Sequence, residues 1–192
     1  DWFGMGSRII ITTRNERLLV QHGITLCHSV KLLNDYEALA LFSQHAFKKD
    51  LPEDGFLELS KYFINHARGL PLALEHLGSA LFKRGLDAWN SARDNLKKIP
   101  NPTIFDKLKI SYDGLEEREK SIFLDVACLH KGKHTEQVIE MLHNSNPFGM
   151  SSRIVIDGLI ERSLLYQDHP YCIRMHDLIQ EMAWKIIGDE SK

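Results

Sequence analysis

Apolar positions change their period twice along this chain, and the changes divide it. Arg8-Ile9-Ile10-Ile11-Thr12-Thr13-Arg14 is a short β-branched run without alternation, the pattern of a strand buried on both faces. Ser29 to Leu33 reads as a second strand, and Asn15 to Gly23 between them has the length of a crossover helix. From Asn34 the period becomes helical. Asn34 and Glu37 form a capping-box pattern, after which Leu39, Phe42 and Ala46 share one face. Phe56, Leu59, Phe63 and Ala67 predict the next helix, with Gly69 as its C-cap, and Leu70, Leu74, Leu77 and Leu81 predict another. A further helix is expected over 87–98, around Trp89 and Leu96.

Pro100-Asn101-Pro102 marks the clearest boundary, because two prolines in three residues disfavour helix on either side. Beyond it, helical patterns cover 104–112, 116–129, 136–143 and 151–161. They are followed by two strand-like runs, 163–166 and 171–175, with 167–170 as the turn. Leu178, Met182 and Ile186 predict a last helix. Helices followed by a β-hairpin are the signature of a winged helix-turn-helix. The expected fold is therefore mainly α with a partial α/β N-terminus, then a helical bundle, then a winged-helix domain.

Composition narrows the function classes. The 192 residues carry 24 Lys and Arg against 26 Asp and Glu, a formal charge of -2, so no bulk field draws the molecule to nucleic acid or to an anionic membrane. Cys27, Cys128 and Cys172 are odd in number and form no C-x-x-C pair, which fits a reducing compartment, cytoplasmic or nuclear. No run reaches 18 apolar residues. The chain opens without an initiator Met and almost at once on the first strand, as expected of a segment cut from a longer polypeptide.

Three short stretches offer chemistry. Thr12-Thr13-Arg14 places hydroxyls and a guanidinium at the carboxyl edge of the first strand, where ligands of open α/β sheets bind. Arg14 there suits a terminal phosphate, or simply the strand's exit into solvent. Gly69-Leu70-Pro71-Leu72-Ala73 starts a helix with Pro in its first turn. Its rigid Pro71 and Leu72 also make a flat wall for an aromatic ring such as adenine. Met175-His176-Asp177 stands where the hairpin passes into the last helix, with Asp177 expected as the cap. His176, beside a helix N-terminus, is placed to donate to an anion or to serve as a structural group. The phosphate loop G-x-x-x-x-G-K-[ST] is absent: Gly132-Lys133-His134 has Ala127 where the first glycine belongs. Neither a G-x-S-x-G elbow nor H-E-x-x-H occurs, and no metal site is expected of His130 and His134.

In order and spacing, these pieces closely resemble the NB-ARC module of plant disease-resistance proteins, within the wider STAND class of ATPase switches. The segment Gly6 to Arg14 is similar to the family's sensor-bearing strand, Gly69 to Ala73 to its GLPL motif, and Met175-His176-Asp177 to its MHD motif. Phe123 to Gly132 resembles the version found in proteins with an N-terminal TIR domain, with Leu129 and His130 replacing the usual aromatic pair.

The resemblance implies that residues 1–33 end a nucleotide-binding P-loop NTPase domain with a parallel sheet, 34–100 form the ARC1 bundle, and 101–192 form the ARC2 winged helix. It implies ADP in a resting state, with Pro71 and Leu72 near the adenine, His176 at the β-phosphate, and Arg14 placed to sense the terminal phosphate once ATP has replaced ADP. Met175, His176 and Asp177 would be regulatory, and no residue of this chain catalytic. The P-loop, the acidic strand that holds Mg2+ and the TIR domain would lie upstream and leucine-rich repeats downstream, with assembly into an oligomer on activation. Neither nucleic acid nor membrane is expected as a partner.

Two rivals come from other classes. A winged helix is also a common DNA reader. Here the recognition helix would be 151–162, whose Arg153 and Arg162 are balanced by Asp157 and Glu161. A small enzyme using His176 and Asp177 as a catalytic pair lacks an identifiable nucleophile.

Overall fold

A computed structural model describes residues 4–96, 101–145, 151–168 and 171–190. Helix dominates, as expected. After α1 (Glu16–Gln21), the bundle comprises α2 (Asp35–Phe47), α3 (Leu57–Ala67), α4 (Pro71–Leu81) and α5 (Leu86–Leu96). The second group is α6 (Pro102–Asp113), α7 (Glu117–Asp125), a π-helical turn (Val126–His130), α8 (Thr135–Ser145), α9 (Ser152–Glu161), the strands β1 (Tyr166–Asp168) and β2 (Cys172–Arg174), and α10 (Asp177–Glu190).

The bundle follows from its local signals. The Asn34 side chain accepts from the Glu37 N–H, and the Glu37 carboxylate accepts from the Asn34 N–H, both at 3.0 Å, so two orphan donors of α2 are satisfied reciprocally. Trp89 of α5 is buried among Phe42, Phe47, Phe56 and Phe63, with ring centroids 4.9–5.9 Å away, and this aromatic cluster closes α5 over α2 and α3. Helices α2 and α4 meet at Gly78, where a Cβ would lie 2.8 Å from both the Phe42 carbonyl oxygen and the His45 Cβ. Only a residue without a side chain allows that approach.

Pro102 does not push the following helix to residue 104. It occupies the first position of α6, where a missing N–H costs nothing, while the Asn101 side chain accepts from the N–H groups of Thr103 and Ile104. Buried residues then run without a break from the bundle into the winged helix, where Phe123, Ile156, Leu159, Leu165, Ile173 and Met182 are enclosed.

In the hairpin, Tyr166 pairs with Arg174, Gln167 with Ile173 and Asp168 with Cys172, antiparallel. The first strand is thus later than the 163–166 expected. Leu164 and Leu165 instead donate their N–H groups to the Leu159 carbonyl and close the end of α9. Part of the expected turn, residues 169–170, lies outside the described residues. The other side of β2 receives Gly132 to Thr135: Gly132 N–H donates to the Ile173 carbonyl at 2.7 Å, and Ile173 N–H to the Lys133 carbonyl at 2.9 Å. Left without an element by the sequence pattern, this stretch runs antiparallel beside β2, with His134 bridging Cys172.

The N-terminal segment departs furthest from expectation. The crossover helix is present as α1, capped by Asn15, but among the described residues 8–14 and 29–33 form no strand. A strand exists only with a neighbour to take its hydrogen bonds, and these two runs do not pair with each other. Ile10 and Val30 are consequently about nine-tenths exposed.

Candidate functional site

Two of the three sequence motifs meet. Helix α3 ends in two successive left-handed residues, Arg68 (φ 49°) and Gly69 (φ 74°), which reverse the chain before Pro71 starts α4. Gly69 is required twice. Its φ is one that L side chains avoid, and a Cβ there would overlap the carbonyl oxygen of Leu33, whose N–H donates to the Gly69 carbonyl at 3.0 Å. Pro71 is exposed and Leu72 half-buried, leaving an apolar step beside the turn.

Met175 is fully buried and anchors the passage from β2 into α10. The cap of α10 is His176 and not Asp177: the imidazole Nδ1 accepts from the Leu178 N–H at 3.2 Å. Nδ1 is therefore unprotonated, the proton sits on Nε2, and Nε2 donates to the Arg68 carbonyl at 3.3 Å. One neutral ring thus joins the winged helix to the end of α3. Burial holds the His176 pKa below its usual 6.5, with the Arg68 carbonyl bond, which raises it, as the opposing influence.

Asp177, freed from capping, forms two ion pairs. One oxygen accepts from Lys131 Nζ at 2.7 Å and the other from Arg68 Nε at 3.1 Å. The Lys131 hydrogen bond is the main cause of a carboxyl pKa below the ordinary value. One turn further along α10, Glu181 lies 4.0 Å from His66 of α3; burial raises its pKa, and His66 opposes this.

Arg14 is elsewhere. Its guanidinium donates to Ser111 Oγ at 2.8 Å and to the Lys107 carbonyl at 3.2 Å, both on α6, and its own carbonyl accepts from Ser163 Oγ. The structure thus unites the Gly69 turn with His176 and Asp177 and ties Arg14 to α6. Sequence reading missed Arg68, Lys131, His66 and Glu181. Arg68 adjoins a singled-out motif, and Lys131 lies inside the stretch whose resemblance was noted; His66 and Glu181 carry no signal beyond helical position.

A neutral imidazole, a guanidinium and an ammonium gather here beside an apolar step, with Nε2–H held by the Arg68 carbonyl and both cations held by Asp177. In the recognition helix expected from sequence, Arg153 pairs with Glu136 and Arg162 with Glu119.

Residues 116–191 match the winged-helix domain of Roq1-like disease resistance proteins, and the chain carries that domain of the plant TIR-NBS-LRR resistance class. Similarity extends over nearly the whole chain. It is 43% identical over 191 residues to TMV resistance protein N of Nicotiana glutinosa, covering 98% of the chain and 16% of that protein. It is 41% identical over 190 residues to disease resistance protein RUN1 of Vitis rotundifolia, covering 99% of the chain and 14% of that protein. Across the relatives compared, the chain spans 11–17% of their length. No described helix is long and apolar enough to cross a membrane.

Proposed function

We propose that this chain is the moving part of an ADP/ATP-dependent switch in an intracellular plant immune receptor, with residues 1–33 ending the nucleotide-binding domain, 34–100 forming the ARC1 bundle and 101–192 the ARC2 winged helix. The observation that supports the reading is the direct bond from His176 to the carbonyl of Arg68, the residue immediately before the Gly69–Ala73 stretch.

In the resting state, Pro71 and Leu72 lie along the adenine and His176 Nε2–H donates to the β-phosphate of ADP. A phosphate oxygen is a stronger acceptor than the Arg68 carbonyl, so the nucleotide takes the donor over from the carbonyl that holds it here. Arg14 reaches a terminal phosphate only after leaving Ser111. ATP thereby competes with the docking of the N-terminal segment on α6. A ligand shifts such an equilibrium by its differential affinity for the two states. Loss of a hydrogen bond to a charged group, about 1.5–3 kcal/mol, changes the closed-to-open ratio about ten- to a hundredfold. The upstream phosphate loop and Mg2+ ligands, TIR domain and downstream leucine-rich repeats complete the receptor, and opening permits its oligomerisation. The two ion pairs of α9 weigh against the DNA-reading alternative, since both arginines are engaged within the protein.

The test uses the longest natural chain containing these residues. It is purified and denatured, and released nucleotide is identified by chromatography, alongside His176→Ala. Stoichiometric ADP is expected in the parent, with less ADP or more ATP in the variant. No bound nucleotide in either protein refutes the reading.

A further inference from the structure

Lys131 belongs to none of the three motifs, yet it is half-buried beside the contact between two of them, bonded to Asp177. Its ammonium bridges Asp177 and Gln180, donating at 2.7 Å to each, on successive turns of α10. Gln180 in turn donates its Nε2–H to the Ala127 carbonyl at 2.7 Å. That carbonyl belongs to the π-helical turn, where Lys131 N–H donates to the carbonyl of Val126, five residues back. An extra residue in a helical turn leaves carbonyls without their usual partners, and here the Gln180 side chain supplies one. The π turn and α10 are thus fastened twice, through a backbone carbonyl and through an ammonium.

The consequence lies across the domain contact. Asp177 offers one oxygen to Lys131 and the other to Arg68. Without the ammonium, the carboxylate has free rotamers and a single cationic neighbour. With it, one oxygen is held on the winged-helix side, and the other is presented to the bundle. Burial supports the assignment: Lys131 is the more enclosed partner, its side chain 21% exposed against 46% for Asp177, so the lysine is the fixed end of the pair.

We propose that Lys131 is a positioning residue of the switch, orienting the Asp177 carboxylate so that the winged helix closes on Arg68 at the end of α3. It acts through Asp177 and touches no nucleotide. The inference rests on the proposed role of residues 175–177 as the closing contact.

The test is a double-mutant cycle of Lys131→Met and Asp177→Asn in the longest natural chain, read by amide hydrogen exchange in segments 64–72 and 176–182. Local opening of the contact sets exchange there, whereas the aromatic cluster of the bundle serves as the control for global unfolding. Lys131→Met is expected to speed exchange in 64–72 about fivefold, the factor for one half-exposed charge-assisted bond. Asp177→Asn should do the same, the double variant should exceed neither, and Lys131→Arg should restore slow exchange.

Additive effects, or an unchanged 64–72 segment in Lys131→Met, overturn the proposal. Should Lys131→Met not fold, Gln180→Ala removes one anchor of the ammonium and keeps the ion pair. It is expected to give about a twofold rise that disappears in the Asp177→Asn background, and additivity there overturns the proposal equally. Exchange needs no bound nucleotide. A protein that purifies without ADP but shows the non-additive cycle refutes the nucleotide switch and leaves the positioning role standing; bound ADP with an additive cycle does the reverse.

Discussion

Replacing His176 separates two bonds made by one ring. In His176→Ala the Nδ1 cap on the Leu178 N–H and the Nε2 bond to the Arg68 carbonyl are both lost. The cap contributes about 1 kcal/mol, and the second bond, long at 3.3 Å, about 0.5–1 kcal/mol. A deficit of about 1.5–2 kcal/mol in a domain of this size lowers Tm by about 3–8 °C. His176→Asn keeps an oxygen within capping reach of Leu178 but has no group that reaches Arg68. It should recover about half the loss, settling about 2–4 °C below the parent. The assay is thermal unfolding at neutral pH followed by far-ultraviolet circular dichroism. An asparagine variant that melts with alanine, or an alanine variant that melts with the parent, refutes the division of labour assigned to the two nitrogens.

The same ring predicts a pH dependence. Because the folded-state pKa of His176 lies below its usual 6.5, the unfolded chain binds the extra proton first. Stability contributed by the neutral ring is complete above about 6.5 and falls as pH drops through that value toward the depressed one. Asp177, Lys131 and Arg68 face the ring, and the raised pKa of Glu181 works in the opposite direction. Denaturant unfolding between pH 7.5 and 5.5 should therefore be compared in the parent and in His176→Asn; identical slopes would contradict the reading. At the α2–α4 contact, Gly78→Ala forces a Cβ to within 2.8 Å of backbone and side chain and should cost about 1–3 kcal/mol, measured as a fall in urea midpoint with unchanged m-value.

The bundle was legible because each signal there is local. Asn34 with Glu37, the Pro71 start and the Leu70–Leu81 repeat decide their helices within a few residues. The candidate motifs were legible as text, and the meeting of Gly69 with His176 was not, since 107 positions separate them in the numbering. Capping by His176 in place of Asp177 hid for another reason. Asp is a favoured helix cap and His is not, and the two cations that claim Asp177 arrive from the π turn and from the end of α3. The π turn itself escapes pattern reading, because Glu116 to Leu129 has helical periodicity whether or not one residue is looped out. The strands expected over 8–14 and 29–33 show the opposite limit, a pattern that declares burial on both faces while depending on neighbours for its hydrogen bonds.

The clasp between Leu33 and Gly69 gives the molecule a load path. Residues 4–33 are joined to the bundle through the Leu33 N–H on the Gly69 carbonyl, with no room for even a methyl group between the two backbones. The winged helix grips the adjacent residue, Arg68, by a carbonyl and a guanidinium. Tension applied along the N-terminal arm thus arrives one peptide bond from the handle held by the far domain. The left-handed pair 68–69 acts as a fulcrum on this route, while Arg14, bonded to Ser111 and Lys107 and accepting from Ser163, gives the arm a second and direct hold on the far domain.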